Sequence, residues 1–337
     1  MRLTGPGIIL LLHFCLSCGM MGFGQPQRDI DSLRRIVSDS HRLQDIPVLF
    51  RIADNFMELD QYDSAQVWLN YVANMLPLRK PSLFNYFLST RQAEIYYYNG
   101  LQRLGLQEAE RSLQIATTLN DSLLLADSYN FLGLFYMNLD STRKSIGFFR
   151  EGMAYAKDPP YPANYLSLSK PYHLAGNLAE AYVKLGSYDS ALILSRRSLQ
   201  LATKLDVGRG IGVASNLIGT ILLKQYQEDS AIAYQQAAIN ITIQSLDYDV
   251  ALIAYGGLAA GYAENDEKAA AFEALKNGFS LLHDQPHINN FFYGQFLEDA
   301  LAVYRKYDDR EMLIYALDEK STLATKRLKK NDLQMNT

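Results

Sequence analysis

The chain has 337 residues, 48% hydrophobic, 20% charged and 12% aromatic, with a net charge of −4. Such a composition supports a packed fold and excludes general disorder, and a chain beyond ~250–300 residues forms two ordinary domains or one elongated repeat. A slightly acidic chain without a basic block lacks the electrostatic footprint of nucleic-acid binding. Both cysteines, Cys15 and Cys18, fall in the leading segment, so the rest of the chain offers no disulfide, thiolate metal site or cysteine nucleophile.

In chain order, the first element reads as an export leader. Arg2 supplies a thin positive region, Ile8 to Met21 an apolar run, and Gly22-Phe23-Gly24 a small-x-small end before Gln25. The run is shorter than the ~20 residues that span a bilayer. Residues 1–24 are therefore expected as a cleaved signal peptide, giving an exported, periplasmic protein. Retention as an uncleaved anchor and lipidation of Cys18 stay open as alternatives. Against lipidation, Leu16 sits one place too close to Cys18, and apolar Met20, Met21 and Phe23 would follow the lipid. No later segment has the apolar length of a membrane span. Residues 25–45 follow as an N-terminal cap, with Ile30, Leu33 and Ile36 facing inward.

From residue 46 the chain repeats itself. Small residues recur at Ala53, Ala93, Gly133, Ala179, Gly219 and Ala259, at steps of 40, 40, 46, 40 and 40, with an irregular seventh unit near Leu301, 42 further on. An apolar residue precedes the small one in five of the six (Ile52, Leu132, Leu178, Ile218, Leu258). Three positions after it stands Phe56, Tyr96, Tyr136, Tyr182, Leu222 or Tyr262, and twelve after it a second small residue: Ala65, Gly105, Ser145, Ala191, Ala231 or Ala271. Steps of three and four share one helical face, and the twelve-residue step leaves room for a turn between two closely packed helices. Prolines avoid the helix interiors, and Asp158-Pro159-Pro160-Tyr161-Pro162 forms an extended loop that accounts for the single 46-residue step. Nothing signals a strand.

This pattern resembles the tetratricopeptide repeat. It is best preserved in Tyr129, Leu132-Gly133, Tyr136, Ser145, Phe149 and Gly152, and nearly as clear in Leu178, Tyr182, Gly186, Tyr188 and Ala191. No unit carries the family's first tryptophan, the last unit has Leu301 and Leu313 at small positions, and the unit length matches the longer repeats of kinesin light chains. The resemblance implies an all-α fold, a right-handed α-solenoid of about seven helix pairs over residues 46–325, then a polar basic tail at 326–337. It also implies a concave groove lined by the first helix of each pair. Carried over position by position, the groove residues are Glu94, Tyr97 and Tyr98; Asn130, Leu134, Met137 and Asn138; Glu180, Val183 and Lys184; Asn216, Thr220, Leu223 and Lys224, with His173 at the start of the same wall. Tyr96 is expected in the core and Trp68 in packing between repeats.

The expected partner is a protein or peptide. Asn130 and Asn216 could hold a main chain through donor and acceptor alike, Lys184 and Lys224 a carboxylate, and Tyr97, Tyr98, Leu134 and Met137 apolar groups. No cofactor or metal is expected: His283 and His287 are separated by Pro286 in a loop, and Gly208-Arg209-Gly210-Ile211-Gly212 reads as a turn following a helix. No catalytic constellation stands out, so the leading expectation is a binding scaffold. The alternative is the extracytoplasmic sensor part of a signalling system, acting on a membrane kinase or regulator. The terminal segment from Leu328 is basic and polar with no span, so such a sensor works through a separate partner or is a shortened relative.

Overall fold

The computed structural model describes residues 30–31, 33–34, 45–59, 61–76, 81–162, 164–285 and 288–335, the last ten of these as backbone only. The leader at 1–24, Ile36, His41 and His287 lie outside them. Among the described residues, fourteen helices follow one another as seven pairs. They are α1 (Ile46–Glu58) with α2 (Tyr62–Met75), α3 (Leu83–Tyr98) with α4 (Gln102–Leu119), and α5 (Ser122–Asn138) with α6 (Thr142–Tyr155). Then come α7 (Pro171–Lys184) with α8 (Tyr188–Lys204), α9 (Gly208–Lys224) with α10 (Glu228–Gln244), α11 (Tyr248–Glu264) with α12 (Lys268–Asp284), and α13 (Asn290–Lys306) with α14 (Arg310–Met335). The last helix runs past residue 325, where the sequence pattern placed the end of the array.

One turn closes all seven connections from first to second helix. The residue eight places after each small residue, or after Leu301 in the seventh pair, donates its N–H to the carbonyl five places back: Gln61 to Phe56, Leu101 to Tyr96, Ser141 to Tyr136, Ser187 to Tyr182, Gln227 to Leu222, Glu267 to Tyr262 and Asp309 to Tyr304, at 2.8–3.0 Å. This is the closing bond of a Schellman cap, which needs a left-handed residue just inside it. Gly100, Asp140, Gly186, Tyr226, Asp266 and Asp308 occupy that place, with φ between 49° and 77°. Their separations follow the steps of the small residues, so the periodicity of the sequence is also a periodicity of backbone conformation.

The small residues serve close packing. Ala53, Ala93, Ala179, Ala259, Ala65, Ala191, Ala231 and Ala271 are fully buried. At Gly133 a Cβ would stand 2.3 Å from Phe149, and at Gly105 2.2 Å from Phe135, so each glycine makes the seat for an aromatic ring. Gly152 admits Leu174 in the same way, where a Cβ would come within 2.6 Å. In the seventh pair Leu301 replaces the small residue and is buried, with Leu313 packed on the same cluster.

The glycines at the start of α9 behave differently from the turn expected there. They are helical, and a Cβ on Gly208 would meet Ser245 at 2.7 Å and one on Gly212 would meet Thr242 at 2.2 Å. These glycines let α9 and α10 approach closely.

The helices form two compact units, one ending at Asn177 and one starting at Leu178. In the first, α1, α3 and α5 lie side by side; in the second, α9, α11 and α13 do so. At the N-terminal edge Ile30 and Leu33 are buried, and the Arg34 guanidinium lies 5.3 Å from the Phe56 ring and 5.7 Å from Trp68. Among the described residues no helix is long and apolar enough to cross a membrane.

Candidate functional site

The rows of first helices carry most of the buried polar side chains, and each unit has its own wall. In the N-terminal unit the wall is built on Asp54 of α1, Arg91 of α3, and Asp127 and Asn130 of α5. Arg91 donates Nε to Asp54 Oδ1 at 3.2 Å and Nη2 to Oδ2 at 3.3 Å, a two-pronged pair buried at both ends. Burial works against the guanidinium charge, yet the Asp54 carboxylate outweighs it and holds Arg91 protonated more firmly than usual. Asp127 accepts the Tyr86 hydroxyl at 2.7 Å. Burial raises its carboxyl above the ordinary aspartate range, while hydrogen bonds from Ser169 and Tyr86 pull the other way.

This wall is covered by the chain itself. After α6, residues 165–170 run back across it outside any helix or strand. Arg91 Nη1 donates to the Ser167 carbonyl at 3.3 Å, the Ser169 N–H donates to Asp127 Oδ1 at 2.7 Å, and Asn130 Nδ2 donates to Ser169 Oγ at 2.9 Å. Tyr165 places its hydroxyl on Asp121 and its ring edge-on to Phe87 at 6.2 Å. Leu168 and Ser169 are buried at 4% and 7% exposure. The segment then enters α7, where the Lys170 N–H donates to His173 Nδ1 at 2.8 Å.

The other residues predicted for this wall divide. Asn130 is central: fully buried, it also accepts Asn177 Nδ2 at 2.8 Å. Tyr97 and Tyr98 are packed rather than displayed. Tyr97 sits edge-on to Phe135 at 5.7 Å, and Tyr98 stacks on Tyr62 of α2 at 5.7 Å, whereas Tyr96, expected in the core, is only half-buried. Glu94, Leu134 and Met137 are buried too, and half-buried Asn138 donates to Gln102 at 3.3 Å.

In the C-terminal unit the wall opens on Arg209, which donates Nη1 to both oxygens of Asp247 at 2.8 and 2.7 Å and lies 5.5 Å from the Phe292 ring. Asp249 accepts the Asn289 N–H at 2.9 Å. The starts of α9, α11 and α13 are thereby tied together. Further along, Gln235 reaches from α10 between two bare backbones: a Cβ on Gly219 or Gly257 would come within 2.7 or 2.4 Å of its Nε2. That nitrogen donates to the Asn216 carbonyl at 3.1 Å.

The Asn216 side chain is 1% exposed, and neither atom of its carboxamide has a hydrogen-bond partner among the described residues. Asp299 of α13 lies on Gly256 of α11, where a Cβ would stand 2.7 Å from Oδ2. Burial pushes its carboxyl up to about 7, with Lys224 pulling it back. Lys224 and Asp299 are thus electrostatic neighbours across two helices. Thr220 turns its hydroxyl to the Asn216 carbonyl at 3.0 Å. Glu180 is buried, and Val183, Lys184 and Leu223 are half-buried. The sequence reading missed Asp54, Arg91, Asp127, Asn177, Gln235 and Asp299. For Asp54 a signal existed, since it stands one place after a small residue, the same position as Glu94 and Glu180.

No protein-family model matches the chain, and no curated protein matches it in sequence. Solved structures do. A Rap protein complexed with competence and sporulation factor is 12% identical, with a TM-score of 0.62 over 90% of this chain and 92% of that one. The apo form of RapI gives a TM-score of 0.63 at 13% identity, over 85% of this chain and 99% of that one. A signal transduction ATPase with a tetratricopeptide repeat sensor, from Pyrococcus horikoshii, gives 0.60 at 11% identity, over 91% of this chain and 45% of that one. With the periodic small residues and the sevenfold turn, these likenesses give the chain the tetratricopeptide-repeat type of fold, an all-α solenoid of helix pairs.

Proposed function

We propose that this protein is a scaffold that binds a protein or peptide as an extended segment against its first helices, and that it acts by binding alone. Asn216 is the observation that carries this. A buried carboxamide left without partners costs about 1–3 kcal/mol, and a ligand main chain that parts the side chains covering it supplies the missing donor and acceptor together. Further along α9, Lys224 adds a positive charge, with the Asp299 carboxyl, held up at about 7 by burial, as its electrostatic neighbour. The bound factor in the Rap complex supports the same role on a similar fold.

The test is selection of peptides from a random display library on the purified protein, followed by fluorescence anisotropy with the selected peptide. Asn216→Ala is expected to weaken binding by about tenfold, as loss of ~1.4 kcal/mol requires. Arg196→Ala, on the exposed face of α8, is expected to leave it unchanged. Selected peptides that lose affinity with Arg196→Ala but not with Asn216→Ala would refute the proposal. The leader-like run from Ile8 to Met21 further supports action outside the cytoplasm, and the sensor of the Pyrococcus ATPase supports a signalling version of the same role. The mass of the protein recovered from its natural host tests the first: cleavage before Gln25 is expected, and an intact N-terminus would contradict it.

A further inference from the structure

We infer that residues 165–170 are a resident occupant of the N-terminal wall, and that this wall takes, in trans, an extended peptide with a Leu-Ser pattern once the resident is displaced; the inference rests on the peptide-binding role proposed above. Connecting segments ordinarily run over the surface with their main chain in water. This one is held as a ligand would be. The Ser167 carbonyl and the Ser169 N–H each meet a side chain of a first helix, Arg91 and Asp127, at 3.3 and 2.7 Å. The Ser169 hydroxyl is read by Asn130 at 2.9 Å, and Leu168 between the two serines is buried.

Donor, acceptor and hydroxyl reader are all preorganised without the strap's help. Asp54 fixes Arg91, Tyr86 fixes Asp127, and Asn177 fixes Asn130. Recognition therefore combines sequence-blind main-chain contacts with one aliphatic and one hydroxyl position, the logic of an extended peptide laid on a preformed surface. On the N-terminal side the strap is joined to α6 through exposed residues such as Lys157, Asp158 and Pro160. It can leave the wall by unpeeling from that side without unwinding a helix.

The tether sets the competition. A covalently attached segment acts at an effective concentration in the millimolar range, so a free peptide of the same sequence meets a wall already filled. The experiment uses the full chain and a fluorescein-labelled peptide of the sequence Asn-Tyr-Leu-Ser-Leu-Ser-Lys, residues 164–170. In the variant Leu168→Asp/Ser169→Pro, the buried anchor and the N–H to Asp127 are removed while the wall is untouched. The variant is expected to bind the peptide at least about tenfold more tightly than the parent. That gain is expected to disappear when Asn130→Ala is added, and for a peptide with both serines replaced by alanine. Equal affinity of parent and folded variant, or no binding by either, would overturn the inference.

If the variant does not fold, hydrogen exchange on the unaltered chain decides. The Ser169 amide is expected to exchange by local opening, faster than the buried amides of α5, and faster still when the peptide is added. Exchange of Ser169 only together with α5 would make the strap a fixed structural element and sink the proposal. The Asn216 assay on the other wall reports the general peptide-binding role separately, so failure here and failure there are distinguishable.

Discussion

Replacing Gly133 by alanine sets two effects of opposite sign against each other. In a helix interior alanine is favoured over glycine by about 1 kcal/mol. At Gly133 the new Cβ would stand 2.3, 2.5 and 2.7 Å from three atoms of the Phe149 ring, which is fully buried. Carbon atoms in contact rest at about 3.5–4.0 Å, so the ring must retreat by roughly an ångström within a close-packed interior. Overpacking of this kind costs about 1–3 kcal/mol, and the net expectation is destabilisation by about 0–2 kcal/mol. Gly147 on the neighbouring helix provides the control. It is exposed, and a Cβ there meets nothing within 4 Å, so Gly147→Ala is expected to stabilise by about 1 kcal/mol. Urea unfolding followed by circular dichroism compares the two, and a separation of about 1–3 kcal/mol is predicted. Adding Phe149→Leu should restore part of the loss in Gly133→Ala, because the two sites are coupled through contact. Equal stabilisation by both glycine replacements would refute the close-packed seat between first and second helix.

Two further outcomes follow from single residues. Leu246, exposed in the turn between α10 and α11, is held at φ 57°, a conformation costing a side-chain-bearing residue roughly 1–2 kcal/mol. Leu246→Gly is therefore expected to raise stability by about 0.5–1 kcal/mol after the greater freedom of unfolded glycine is subtracted. A lower melting temperature would contradict this. Asp299, held up at about 7, keeps its proton in the folded state where an unfolded aspartate has lost it. Its contribution is present at low pH and declines as pH rises from about 4 to about 7, then stays level. Asp299→Asn should remove that decline, and an unchanged pH–stability profile would show that the carboxyl titrates normally.

The array was legible because each repeat makes its main contacts with its neighbours. The small residue, the aromatic three places on and the second small residue meet within one helix pair, so Gly133 and Phe149 show their relation in local spacing. The Schellman turn was only half-written: Gly100 and Gly186 carry the residue type a positive φ favours, but Tyr226 and, in the matching turn between α10 and α11, Leu246 adopt it with large side chains. What lay beyond local spacing was missed. Tyr98 was placed on the wall from its position in the motif, yet it stacks on Tyr62, which belongs to the preceding pair. The proline cluster announced an extended loop without saying where it goes. Its contacts join residues 39 to 76 positions apart, Asn130 to Ser169 and Arg91 to Ser167, and no periodicity encodes them. Asp299 escaped notice for the same reason, since its environment is made by a bare glycine on another helix.

The most direct test of the central claim is a hydrogen-exchange footprint of the purified protein with a peptide selected on it. Peptide binding against the first helices predicts new protection concentrated on α9, α11 and α13, centred on the turn of α9 that carries Asn216. Protection confined to the second helices α8, α10 and α12, with α9 unchanged, would contradict it.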